Sequence, residues 1–147
     1  MTFVVPFDDS AHARAALVRA REFADALDED VLAISVVPNN NVDYARKAGW
    51  LGPEESFDLD AIVASLERAV HDIAPEARFE YETCVREATG NRIAKPIRKF
   101  ARHNDASMVF VGSANAGRLV TTLGSVAGRI STDAAYDVVI VRRLPET

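Results

Sequence analysis

The chain has 147 residues, 48% hydrophobic and 27% charged, and this composition predicts one globular domain spanning residues 1–147. Its net charge of −5 argues against broad binding to nucleic acid or to an anionic membrane, since both require basic patches. The apolar runs are too short to span a bilayer, no signal peptide is visible and a single cysteine excludes an internal disulfide, so the expected location is the cytoplasm.

The first half of the chain alternates apolar runs with helical repeats. Thr2–Phe7 and Val31–Val37 are predicted to be buried strands. A helix between them is capped by Ser10 or Asp9, both of which are residue types favoured at that position. A long connection, Pro38–Ser56, follows the second strand, and such connections are often functional or mobile.

Three apolar residues of this connection, Tyr44, Trp50 and Leu51, have two interpretations. They could cover a ligand, or they could form a small apolar cluster beneath the connection, which is the favoured interpretation. Ser56 is the predicted cap of the next helix, whose apolar stripe extends to Ile73.

The second half continues the same alternation. Ala77–Val85 alternates in polarity as a strand at a sheet edge does, and a helix containing Pro96 follows, with a kink or a delayed start expected at the proline. Positive charge near the end of this helix suits the helix dipole. Two further strands, Ser107–Val111 and Asp137–Val141, are predicted, with a short helix over residues 126–134 between them.

This order of elements, with strands and helices in strict alternation, predicts an α/β fold. We expect a five-stranded, mostly parallel sheet of Rossmann-like type with helices on both faces. Ligands of such sheets bind beyond the carboxyl ends of the strands. Asp8 and Asp9 follow the first strand and Gly112 ends the fourth, so these ends and the long connection are expected to border one cleft.

The residues between Gly112 and Ser125 form a small, polar, glycine-containing stretch with Gly117 in its middle. The pattern indicates a strand, a loop and a helix N-terminus, where free N–H groups and the helix dipole favour an anion such as phosphate. The alternative is a strand-to-helix connection whose glycines serve only the turn. Spacing by itself leaves both interpretations open.

Four stretches together resemble the universal stress protein family. Residues 4–10 resemble its first strand and loop, V-P-x-D-x-S, and residues 106–113 resemble its fourth strand. Residues 123–126 resemble the end of its nucleotide-binding loop, and residues 138–142 resemble its last strand. The resemblance covers essentially the whole chain in order and spacing. It implies a five-stranded parallel sheet and a dimer that is often formed by pairing of the last strands.

In the ATP-binding branch of that family the loop reads G-x2-G-x9-G-S/T. Asp8, Gly112, Gly124 and Ser125 match the positions that this branch uses. The second glycine of the pattern is Asn115 here, although Gly117 follows, and the interval from Gly112 to Gly124 is one residue shorter. Asn tolerates a positive φ better than most residues, so the turn is compatible with Asn115.

The resemblance implies a small-molecule binding protein for ATP or another adenine nucleotide, with a stress-response or regulatory role. Adenine is expected near Val36 and Val37, with Asp8 accepting a hydrogen bond from base or ribose. Mg²⁺ is expected only through the nucleotide phosphates. The residues expected around the phosphates are Gly112, Asn115, Gly117, Arg118, Gly124 and Ser125.

Two other functions compete with this one. The first is a dimeric stress or regulatory protein that binds no nucleotide and acts through protein partners. The second is a phosphorylated receiver domain. The paired acids Asp8 and Asp9 fit its Mg²⁺ site, but this chain lacks the aspartate and the lysine that such a domain requires at later strand ends. No catalytic triad, HExxH or P-loop lysine motif is present, so at most slow ATP hydrolysis is expected. The expected homodimer pairs the last strands through Val138, Val139, Ile140 and Val141.

Overall fold

A computed structural model describes residues 1–85, 90–113 and 136–144, with the backbone alone for residues 90–94. The described residues form five strands and four helices. The strands are β1 (Thr2–Pro6), β2 (Asp30–Pro38), β3 (Arg78–Cys84), β4 (Ala106–Gly112) and β5 (Asp137–Val141). The helices are α1 (Ala11–Leu27), α2 (Val42–Lys47), α3 (Leu59–Ile73) and α4 (Gly90–His103). The short helix predicted over residues 126–134 lies outside the described residues.

The strands form one parallel sheet in the order β3-β2-β1-β4-β5. Each described crossover between neighbouring strands contains a helix, as parallel pairing requires. The predicted α/β fold with a five-stranded parallel sheet is therefore confirmed. The prediction that β3 lies at a sheet edge is also confirmed, and each of its residues is exposed or half-buried, as expected there.

Hydrophobic clusters cover both faces of the sheet. One cluster joins α1 and α3 to strand residues such as Phe3 and Phe110, and the other joins α4 to residues such as Val4 and Leu32. The central strands β1 and β2 are buried on both faces, which explains their nearly continuous apolar sequences. This packing holds the carboxyl ends of the central strands on a rigid base.

The connection after β2 contains a helix that the sequence did not predict. Asn41 caps α2, because its Oδ1 accepts a hydrogen bond from the Tyr44 N–H at 2.9 Å. Arg46 donates to the carbonyl oxygens of Gly52 (3.4 Å) and Glu55 (3.3 Å), so it ties α2 to the following turn. The connection is thus ordered by local hydrogen bonds.

Two predicted helix starts differ from the structure. The prediction of Ser56 as the cap of α3 was wrong: Asp58 is the cap, and its Oδ1 accepts a hydrogen bond from the Ala61 N–H at 3.2 Å. A delayed start at Pro96 was also wrong, because α4 begins at Gly90 and contains the proline. The cap of α1 is Ser10, one of the two residues predicted, and its hydroxyl oxygen accepts from the Ala13 N–H.

Candidate functional site

The sheet changes its direction of winding between β1 and β4. From β1 the chain passes to β2 and then β3 on one side, and after α4 it returns to β4 on the other side of β1. In parallel sheets the crevice for a ligand forms at this switch point, because the connections after the two strands leave in opposite directions. The carboxyl ends of β1 and β4 therefore mark the candidate site.

The register brings three predicted site residues to one edge of the sheet. Pro6 pairs with Ile34, so two residues further Asp8 is level with Val36. Val4 pairs with Val109, and continuing that register for three residues brings Gly112 level with Phe7. Asp8, Val36 and Gly112 therefore lie on three adjacent strand ends, as the sequence predicts for one cleft.

Hydrogen bonds fix the backbone leading into Asp8. The Phe7 N–H donates to the Ile34 carbonyl oxygen at 2.8 Å, and the buried Ser35 hydroxyl donates to the Phe7 carbonyl oxygen at 2.6 Å. The carboxylate of Asp8 accepts from the Ser10 N–H at 3.0 Å, which forms a tight turn into α1. The position of the Asp8 side chain is thus set by the neighbouring strand β2 and by the turn into α1.

Asp9 completes the turn between β1 and α1. Its φ of 65° lies in the left-handed region, which aspartate tolerates better than most residues. Its Oδ1 accepts from Arg14 Nε at 2.6 Å. This hydrogen bond to Asp9 raises the pKa of the Arg14 guanidinium above its ordinary value. The ion pair between Asp9 and Arg14 therefore ties the connection between β1 and α1 to the start of α1.

Gly112 packs directly against the start of α1. A Cβ at this position would lie 2.6 Å from the backbone carbon and oxygen of His12 and 2.9 Å from the Ala13 nitrogen. These distances leave no room for a side chain. Packing against α1 therefore requires glycine at this position, whether or not a ligand also contacts it. The close approach brings the N-terminus of α1 to the end of β4. Half-buried His12 contributes its backbone to this contact.

The connection after β2 lies against the same strand end. The indole Nε1 of Trp50 donates to the Asp8 carbonyl oxygen at 2.8 Å, and its ring lies 5.6 Å from the ring of Tyr44, centroid to centroid. Leu51 is buried and Trp50 packs against the same core cluster. The favoured interpretation, an apolar cluster beneath the connection, agrees with this packing.

Sequence reasoning missed the hydrogen bond from Trp50 to Asp8. The signal available was the indole itself, because a partly buried Trp N–H usually finds an acceptor. Which acceptor it finds depends on how the connection folds back across the sheet. Asn41, the cap of α2, is the sequence feature that starts this fold-back.

The two valines predicted near adenine differ in burial. Val36 is 8% exposed and Val37 has no exposed surface. Val37 belongs to the same cluster as Ala45 and Leu51 of the long connection, whereas Val36 belongs to the cluster on the α4 face. Contact between a ligand and the Val37 side chain would therefore require the cluster to open.

Five predicted phosphate-site residues lie outside the described residues. They are Asn115, Gly117, Arg118, Gly124 and Ser125. The phosphate-binding loop therefore stays a prediction. Within residues 1–85, 90–113 and 136–144, no group of three or more His, Cys, Asp or Glu side chains could hold a metal ion.

The match to a known family covers nearly the whole chain. The model of the universal stress protein family matches residues 1–142.

The chain belongs to the universal stress protein family.

Solved universal stress proteins share its fold. The protein UspA from Lactobacillus plantarum is 21% identical with a TM-score of 0.65, and the alignment covers 97% of each chain. A universal stress protein in complex with cAMP is 22% identical with a TM-score of 0.59, covering 97% of this chain and 96% of that one. One from Archaeoglobus fulgidus in complex with dAMP is 21% identical with a TM-score of 0.58, covering 96% and 97%.

Two further findings concern this universal stress protein. A search of curated protein sequences found no match. Among the helices in the described part of the chain, none is both long and apolar enough to cross a membrane.

Proposed function

We propose that this universal stress protein binds an adenine nucleotide, with ATP as the expected ligand, in a cytoplasmic stress-response or regulatory role. The observation that supports this most is the position of Asp8. Its carboxylate lies at the switch point of the sheet, level with Val36, in a turn held by the Ser10 N–H. Related folds in complex with cAMP and with dAMP agree with an adenine nucleotide as the ligand class.

In this proposal the described residues supply the nucleoside end of the site. Asp8 accepts a hydrogen bond from the base or ribose, and the edge of the sheet at Val36 supports the base. Gly112 allows the chain after β4 to start close to the N-terminus of α1, where backbone N–H groups favour an anion. The phosphates are assigned to the loop that ends at Gly124 and Ser125, with Mg²⁺ held by the phosphates. Binding rather than catalysis is expected, since no general base is assigned.

A second candidate is a nucleotide-free regulatory protein that acts through protein partners. The complete burial of Val37 beneath the long connection favours it, because a base at that position would have to displace packed side chains. The two candidates therefore differ in whether the connection opens for a ligand.

Calorimetry with Mg-ATP, AMP and cAMP tests the proposal. The unmodified protein is expected to give saturable heat, and Asp8→Asn is expected to bind about 10- to 100-fold more weakly, because hydrogen bonds to charged groups contribute about 1.5–3 kcal/mol. Asn retains an oxygen for the Ser10 N–H, so this variant keeps the turn. Gly124→Val is expected to abolish binding without unfolding the protein.

The matched control is Asp25→Asn, which removes one carboxylate from an exposed position of α1. It is expected to bind as the unmodified protein does. No heat from folded protein with any of the three nucleotides, or equal affinity in Asp8→Asn and Asp25→Asn, would reject the proposed site and leave the nucleotide-free candidate.

A further inference from the structure

Helix α4 has a charge composition opposite to that of the rest of the molecule. It contains five of the 17 Lys and Arg residues and none of the 22 Asp and Glu residues, whereas the whole chain has a net charge of −5. A helix dipole favours cations near the C-terminus, and this effect falls off within the last turn. Lys95 lies well before that turn, so the dipole alone does not account for the whole series.

The cations form one row along α4. Lys95, Lys99 and Arg102 are spaced as neighbours on one helix face, and Arg98 lies beside them. On the inward side, Ile97 and Ala101 are buried against the sheet. This packing fixes the rotation of the helix and directs the row outward. From Lys95 to Arg102 the row is about 10 Å long, at 1.5 Å per residue.

A cleft lies between this row and the edge strand β3. It has a volume of about 610 Å³ and is lined on one side by Lys95, Arg98, Lys99 and Arg102. Glu82 and Cys84 line it on the other side. These two residues pair with Val36 and Pro38 of β2, and Val36 and Cys84 belong to the cluster on the α4 face. The cleft is thus the part of that sheet face that α4 leaves uncovered.

The charges in the cleft are unbalanced. The ion pairs of the described residues do not include Lys95, Arg98 or Lys99. One carboxylate oxygen of Glu82 is buried and has no hydrogen-bond partner in the described part of the chain. Buried polar atoms in native structures nearly always have a partner, so this oxygen indicates a place for a donor group. The cleft therefore offers several cations for an anion and one acceptor for a hydroxyl or amino group.

We propose that this cleft binds a small polyanion that has two or more phosphate groups and a hydroxyl or amino donor. The phosphates lie along Lys95, Arg98 and Lys99, and the donor group meets Glu82. A concave site of this volume is in the range of small-molecule pockets. The carboxylate in its wall and the net negative charge of the chain disfavour a nucleic-acid backbone or an anionic bilayer. The cleft lies between β3 and α4, next to the proposed nucleotide site at the ends of β1, β2 and β4, and the proposal for the cleft does not depend on that site.

Cys84 provides a local reporter, because it is the single cysteine of the chain and lines the cleft. We would compare its reaction rates with dithiobis(nitrobenzoate), a dianionic disulfide, and with dithiodipyridine, a neutral one. The cation row is expected to accelerate the anionic reagent relative to the neutral one, and added salt is expected to reduce the ratio. Inorganic tripolyphosphate, the probe ligand, is expected to slow both reactions with saturation.

The variant that tests the cation row is Lys95→Gln with Lys99→Gln. Both side chains are exposed, so folding is expected to be unaffected. The ratio of the two rates is expected to fall at least threefold, and tripolyphosphate affinity measured by calorimetry at least tenfold. The matched control, Lys47→Gln with Arg68→Gln, removes the same charge elsewhere and is expected to retain both values. Asp8→Asn, which tests the nucleotide site, is expected to retain tripolyphosphate binding at the cleft.

Three results would overturn the proposal. One is equal loss of tripolyphosphate binding in the test and control variants, which would indicate net charge alone. Another is no saturable tripolyphosphate binding by calorimetry. The third is saturable binding of a single-stranded oligonucleotide, or of vesicles containing anionic lipid, that displaces tripolyphosphate and is lost in Lys95→Gln with Lys99→Gln.

Discussion

At the scale of single residues, the candidate site is built by close backbone packing. Gly112 leaves the end of β4 in contact with the backbone of His12, and Ser35 holds the carbonyl of Phe7 from the neighbouring strand. Asp8 is then placed by β2 on one side and by the turn into α1. Most of the residues that position the site are therefore different from the residues that would contact a ligand.

The close contact at Gly112 leads to a stability prediction. Gly112→Ala is expected to lower the free energy of unfolding by about 1–3 kcal/mol, the usual cost of adding a methyl group to a packed site. The added Cβ would meet rigid backbone atoms of His12. Urea denaturation measures the change.

The control for this prediction is Gly52→Ala, whose Cβ would meet the flexible carboxylate end of Glu55. It is expected to change the free energy of unfolding by less than about 0.5 kcal/mol, as most surface substitutions do. Equal stability of the two variants would show that the contact between β4 and α1 relaxes without cost.

At the scale of elements, the segment between β2 and α3 differs most from the prediction. Its asparagines and glycines predict a long connection without a helix. In the structure Asn41 caps α2, and the Trp50 indole donates a hydrogen bond to the Asp8 carbonyl oxygen just after β1. Asp58 rather than Ser56 then begins α3. Both side chains are good caps in isolation, so local preference did not separate them. The position of the preceding turn decides which of them reaches the first helical N–H groups.

The two candidate caps can be compared directly. Asp58→Ala is expected to destabilise the protein by about 1 kcal/mol, since the Ala61 N–H loses its acceptor. Ser56→Ala, two residues earlier in the same exposed segment, is expected to have an effect below about 0.5 kcal/mol. Thermal unfolding and helix content by circular dichroism would measure both. A larger loss in Ser56→Ala would contradict the cap that the structure assigns.

At the scale of the whole molecule, the two edges of the sheet have different surfaces. β3 exposes polar side chains such as Glu80 and Thr83, and its Glu82 lines the cleft beside the cation row of α4. At the other edge, Ile140 of β5 is 41% exposed, and Leu144 just beyond the strand is 48% exposed. An apolar edge strand favours pairing with another strand, because its outer N–H and C=O groups lack partners in the sheet. We propose that β5 pairs with its copy in a homodimer.

Ile140→Lys tests the dimer, because a lysine on an edge strand opposes pairing. Light scattering at micromolar concentration is expected to give a dimer for the unmodified protein and a monomer for this variant. The control, Tyr81→Lys, places the same charge at a similarly exposed position of β3 and is expected to remain dimeric. A monomeric unmodified protein, or loss of the dimer only in Tyr81→Lys, would reject pairing through β5.

The sequence by itself determined the fold, because strict alternation of buried strands and amphipathic helices leaves few alternatives to a parallel sheet. It also indicated the candidate edge, since Asp8 and Gly112 end strands that such a fold places side by side. Tertiary structure alone decided the hydrogen bond from Trp50 to Asp8, the contact of Gly112 with His12, and the cleft between β3 and α4. These features join residues that are distant in the chain, and their geometry depends on how elements pack rather than on any local pattern.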